Sequence, residues 1–120
     1  MKALTVVPLQ KDSAELSDVE DPPESDGPVL VETIGVGICG TDVEILSGEY
    51  GWPPPGRERL VLGHESLGRV VEAPSGSGLA SGDLVVGIVR RPDPVPCSNC
   101  AVGEWDFCRN GQYTERGIKE

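Results

Sequence analysis

Apolar positions along this chain come in short runs broken by glycine and proline, with no sustained helical spacing. Lys2–Val7 reads as an opening strand. Val29–Val36 is dense in β-branched residues, which fit a pleated surface, and is the strongest strand candidate. Leu67–Ala73 and Leu84–Val89 are further strands, separated by the turn sequences Pro74–Gly78 and Ser81-Gly82-Asp83. Asp18–Gly27, with Pro22, Pro23 and several acids, predicts an exposed turn. One short helix is expected over Thr41–Ser47, started by Thr41 or Asp42 as cap and ended by Gly48. Gly51–Gly56 carries three consecutive prolines and is a loop. From Arg90 to Gln112 the periodicity disappears. So long an irregular stretch in a compact domain needs something to hold it, and its cysteines are the candidates. No internal repeat or heptad is present.

Length and composition sharpen this picture. With 120 residues the chain is one domain with a single modest core. Its 16 glycines, 11 prolines and few aromatics favour a mainly-β architecture over a helical bundle. The 20 acidic and 10 basic side chains leave a net charge of −10, the wrong sign for a nucleic-acid partner. Two readings of that charge stand: a solvated acidic surface, or adaptation to high salt, since lysine is scarce among the cations. No apolar run approaches the ~18 residues of a membrane span. The opening residues are too quickly interrupted by Pro8 for a secretory signal, so a cytoplasmic location without membrane partners is expected.

The chemistry-bearing residues fall in two groups. His64, the one histidine, lies between Gly63 and Glu65, and Cys39 precedes it within Gly37-Ile38-Cys39-Gly40-Thr41-Asp42. Thiolate and imidazole are ligands that zinc prefers, and a catalytic zinc keeps one position open. Taken alone, a single Cys is more often a small buried hydrophobe and a single His more often structural than a ligand. Cys97, Cys100 and Cys108 form the second group, with spacing C-x2-C-x7-C. A rival reading comes from Gly35-Val36-Gly37-Ile38-Cys39-Gly40, which spells the G-x-G-x-x-G of dinucleotide-binding turns. That motif needs a full helix and a second parallel strand, but the helix ends by Gly48 and a proline loop follows. The acid at the right distance, Glu58, falls in that loop, so the glycines are better explained as tight backbone around Cys39.

Gly37–Asp42, then Leu62-Gly63-His64-Glu65-Ser66-Leu67-Gly68-Arg69-Val70-Val71, then Ser81-Gly82-Asp83-Leu84-Val85, together resemble the zinc-dependent medium-chain alcohol/polyol dehydrogenases. The resemblance covers all 120 residues, which correspond to that family's N-terminal GroES-like catalytic domain. Val89-Arg90-Arg91-Pro92 and Tyr113–Ile118 are similar to its glucose dehydrogenase branch, with other polyol or alcohol dehydrogenases as alternatives. It implies a distorted β-barrel with a short helix and a Cys-containing lobe. It also implies reversible NAD- or NADP-dependent oxidation of a sugar or alcohol hydroxyl, zinc acting as Lewis acid. Cys39 and His64 are then zinc ligands, Glu65 a ligand or close neighbour, and one further ligand lies beyond residue 120. Thr41 matches the hydroxyl that relays the substrate proton, Asp42 the carboxylate behind the site, and Glu115 a sugar-binding position.

The family's structural-zinc lobe uses C-x2-C-x2-C-x7-C, and its first ligand position is Pro94 here. Asp93 can supply an oxygen instead; free thiols or a disulfide are the other outcomes. The nucleotide-binding Rossmann domain is expected to be absent from this chain, which would therefore not turn over alone, and the complete enzyme is expected to be a homo-oligomer. Two other readings remain: a non-catalytic zinc or scaffold module like metal-free quinone-reductase relatives, which usually lack the Cys–His pair, and a zinc ribbon on Cys97–Cys108, which conflicts with the acidic charge.

Overall fold

A computed structural model describes residues 1–120 as eight short strands, one α-helix and three 3-10 turns. The strands are β1 (Lys2–Val6), β2 (Glu15–Asp18), β3 (Leu30–Gly37), β4 (Leu60–Val61), β5 (Glu65–Glu72), β6 (Leu84–Val86), β7 (Arg90–Arg91) and β8 (Thr114–Glu115), with helix α1 at Gly40–Leu46. All pair antiparallel, in three sheets ordered β2-β1-β4, β3-β5-β6 and β7-β8. The mainly-β expectation holds. Because β3 runs antiparallel to β5, the G-x-G-x-x-G segment belongs to no parallel crossover unit.

The first sheet carries the core. Val6, Leu60 and Leu62 close on Ile45 from α1 and Ile118 from the C-terminal segment, with Leu46 and Tyr50 at the rim. Ile45 and Leu60 are fully enclosed, and such side chains contribute about 1.5–3 kcal/mol each. At seven residues α1 is too short to persist alone, so Ile45 is its anchor. The second sheet contributes Val70, while Leu30, Ile34, Leu67, Leu84 and Val86 stand exposed on it. No helix is long and apolar enough to cross a membrane.

The structure departs from expectation at the helix start. Cys39, not Thr41 or Asp42, is the N-cap: its side chain accepts from the backbone of Asp42, whose carboxylate accepts from the Cys39 N–H. This reciprocal pair satisfies two of the donors that a helix start leaves unpaired. At the other end Gly48 takes φ +78°, as the sequence anticipated. Strands β2 and β4 were not signalled by the apolar pattern. The irregular stretch gains two 3-10 turns, Cys100–Val102 and Trp105–Phe107.

Candidate metal centre and its surroundings

The register of β3 on β5 builds the first site. Gly37 pairs with Glu65, so the end of β3, two residues before Cys39, lies opposite the start of β5, which follows directly on His64. Cys39 Sγ and His64 Nε2 stand 3.1 Å apart, and both ligand atoms lie within 4.8 Å of each other and of a Glu65 carboxylate oxygen. Two glycines make close approaches around them, the second against backbone. A Cβ on Gly37 would sit 2.6 Å from Glu65 Oε2. Gly117, at φ +79°, presses so closely on Gly63 that a Cβ would meet the Gly63 carbonyl at 2.7 Å.

Asp42 stands behind the histidine. One of its oxygens accepts the Cys39 N–H at 2.8 Å, and the other lies 3.5 Å from His64 Nδ1. Asp42 is 1% exposed, and neither its Oδ1 nor His64 Nδ1 has a hydrogen-bond partner of good geometry. Facing each other at that distance, they leave His64 Nε2 as the nitrogen turned toward the thiol. Thr41 lies in the first turn of α1, two residues from Cys39 and half-buried.

The three lobe cysteines also converge, their sulfurs all within 4.8 Å. Cys97 is pushed down to about 6, chiefly because its sulfur accepts the Arg109 N–H at 3.5 Å. Burial pushes the Cys100 thiol up. The Asp93 carboxylate is buried and takes the N–H groups of Val95 at 2.8 Å and Gln112 at 2.9 Å. Its Oδ2 lies 3.8 Å from Cys108 Sγ, so it borders the thiol cluster.

Glu115 is not a free surface carboxylate. Arg90 donates to its Oε1 from Nη2 at 2.6 Å and from Nε at 3.1 Å, across the β7–β8 pair. The guanidinium also lies over the Tyr113 ring, 4.1 Å from its centroid. The bond to Glu115 raises the Arg90 pKa above its ordinary value, so the side chain is cationic throughout the accessible range. Nothing in the spacing of the chain signalled this pair. A cleft of about 820 Å³ lies elsewhere and touches the metal-like centre only through Gly63. Its charged side chains are largely tied up in ion pairs, such as Arg116 with Asp26 and Arg59 with Glu15, and it holds no cysteine or histidine, so it is not the chemical site.

Comparison with known proteins agrees with this geometry. Residues 25–118 match the family described as "Alcohol dehydrogenase GroES-like domain". Glucose 1-dehydrogenase 1 of Vulcanisaeta moutnovskia is 48% identical over 98% of this chain and 33% of its own length. The solved glucose dehydrogenase of Haloferax mediterranei, in complex with NADP, Zn and gluconolactone, superposes with a TM-score of 0.83. It is 38% identical over 99% of this chain and 33% of that one. Alcohol dehydrogenase TADH from Thermus sp. ATN1 follows at TM-score 0.73 and 27% identity, over 100% of this chain and 33% of that one. The chain thus spans about a third of the length of the curated relatives it matches. The match covers both the turn that carries Cys39 and the segment that carries His64, and this chain belongs to the alcohol dehydrogenase GroES-like domain family.

Proposed function

We propose that these residues are the zinc-holding, substrate-presenting domain of an NAD(P)-linked dehydrogenase that oxidises a sugar or polyol hydroxyl, with a glucose-type aldose as substrate. The observation that carries this reading is the 3.1 Å approach of Cys39 Sγ to His64 Nε2, with a Glu65 oxygen in the same cluster. A thiolate, an imidazole and a carboxylate are a donor set suited to zinc. The orphaned Asp42 Oδ1 and His64 Nδ1 fit the same purpose. A carboxylate facing one ring nitrogen holds the proton there and leaves the other nitrogen's lone pair for a metal.

Cys39, His64 and Glu65 would hold the ion, with a further ligand from residues outside this chain. When bound, zinc supplies Lewis acidity toward the substrate's oxygen. Thr41 would pass the hydroxyl proton toward solvent from the first turn of α1, and Asp42 keeps His64 in the required tautomer. Glu115 would accept hydrogen bonds from sugar hydroxyls. The Cys97, Cys100 and Cys108 cluster would hold a structural zinc, with Asp93 as fourth donor where Pro94 supplies none. The nicotinamide coenzyme, NAD or NADP, would be bound by a nucleotide-binding domain outside residues 1–120, and these residues alone would not turn over substrate. The threefold greater length of the relatives supports that division. A cytoplasmic, homo-oligomeric enzyme is the setting we infer, and the acidic surface supports adaptation to high salt, as does the likeness to a Haloferax protein.

The 48% identity to a glucose 1-dehydrogenase and the gluconolactone in the Haloferax structure support the sugar over a simple alcohol. The likeness to the Thermus alcohol dehydrogenase favours the alternative of another substrate range. The test is to express the complete reading frame and assay glucose, galactose, xylose and simple alcohols with each coenzyme. Activity on simple alcohols alone rejects the sugar. Activity that survives Cys39→Ser and His64→Ala, each with its zinc content measured, rejects the metal centre and leaves a scaffold role for the pair.

A further inference from the structure

We propose that Arg90 is the positioning residue for Glu115, holding one carboxylate oxygen so that the other is presented to the sugar; this rests on the substrate-binding reading of Glu115. Both of the guanidinium's bonds to Glu115 fall on the same atom, Oε1, at 2.6 and 3.1 Å. Oε2 receives no hydrogen bond from the chain and is not a buried atom, so it is the free acceptor. A carboxylate fixed at one oxygen loses its rotation about the last bond, and a ligand hydroxyl then meets an acceptor already oriented.

Arg90 can do this because it is itself held on three sides. Nη1 donates to the Asp106 carbonyl in the cysteine lobe at 3.0 Å, the guanidinium plane stacks on Tyr113, and the β7–β8 register sets Arg90 opposite Glu115. The side chains of Arg90 and Glu115 are only 22% and 17% exposed, so water competes weakly for the pair. A lysine in its place would offer a point charge without the planar fork or the ring contact. The same guanidinium therefore joins the lobe backbone to the carboxylate that would meet substrate.

The experiment is a double-mutant cycle in the complete, zinc-loaded enzyme, using Arg90→Gln, Glu115→Ala and the pair, with glucose and with a simple alcohol as substrates. Arg90→Gln should raise KM for glucose about tenfold, the size expected for a lost charge-assisted contact, with kcat and zinc content little changed. It should leave the alcohol's KM unaltered, and in the Glu115→Ala background it should add nothing further. Arg90→Lys should fall between wild type and Arg90→Gln, and serves as the readout if Arg90→Gln does not fold. Multiplicative effects in the cycle overturn the positioning role while leaving Glu115 a substrate ligand. An unchanged KM in Glu115→Ala alone rejects the Glu115 reading first, and the Arg90 role with it.

Discussion

Asp42→Asn separates the two tasks that Asp42 performs. Its carboxylate accepts the Cys39 N–H through one oxygen and faces His64 Nδ1 with the other. An asparagine has the same shape but a single acceptor. If its oxygen keeps the bond from Cys39, its amide hydrogens point at His64 Nδ1, which must then accept. The imidazole proton moves to Nε2, the nitrogen beside Cys39 Sγ, and the lone pair needed for zinc is gone. The reverse orientation sets an amide donor against the Cys39 donor, so no rotamer serves both.

Loss of an outer partner of a metal-binding histidine costs about 10–100-fold in metal affinity, equivalent to about 1.4–2.8 kcal/mol. The fold should suffer less. The cap bond survives, and only a negative charge near the helix start is lost, about 0.3–1 kcal/mol. Asp42→Ala, by contrast, keeps the Cys39 cap but removes the carboxylate that accepts the Cys39 N–H, leaving that part-buried donor unpaired at a cost of about 1–3 kcal/mol. The assay pairs zinc competition against a chromophoric chelator at pH 7 with thermal melts of the metal-free chain. The expected pattern is weak zinc with near-native stability for Asn, and losses of both for Ala. Wild-type zinc affinity in Asp42→Asn would refute the reasoning, as would a melting point as low as that of Asp42→Ala.

Three further outcomes follow from the geometry. Gly117→Ala must place a methyl 2.7 Å from the Gly63 carbonyl at φ +79°, and should cost more than about 1 kcal/mol in a denaturant titration. In metal-stripped protein, Cys97 should be alkylated by iodoacetamide before Cys100, at a rate that rises with a midpoint near pH 6. The sign follows from a thiolate favoured by folding: the stability it contributes is present above the ordinary thiol value and is lost as pH falls through about 6. Thermal melts should climb with molar KCl if the net charge of −10 reflects adaptation to salt, and a flat or falling curve refutes that idea.

The residues of the candidate metal centre were legible because each proposed ligand sits in a distinctive local string, Gly37–Asp42 and Leu62–Val71. Their meeting was expected from the family resemblance but not from spacing, since it depends on Gly37 pairing with Glu65 rather than a neighbour, and two irregularities along β3 shift that register. Strand β2 escaped notice because Glu15-Leu16-Ser17-Asp18 has one apolar residue, and that one faces solvent. Strand β4 is two residues long and follows a proline loop. The cap was misassigned because hydroxyl and carboxylate side chains are the usual choice there, whereas a thiol accepts the bond at Cys39. Arg90 with Glu115 was invisible for a similar reason: 25 residues separate them, and only the short β7–β8 pair brings them face to face.

The uneven division of the core between the two larger sheets bears on how the domain opens. Strand β1 is sealed on the side of Val6 by four other core residues, whereas β3 and β6 are held largely by their own ladder. Deuterium should therefore enter the amides of β6 and outer β3 well before those of β1, in a sub-global unzipping that leaves the Val6–Leu60 nucleus intact. Cys39 hangs from the loosely held half, and His64 from the seam where the two halves join. An ion gripped by both would act as a rivet between them, slowing exchange along β3 at positions many ångströms from the metal itself.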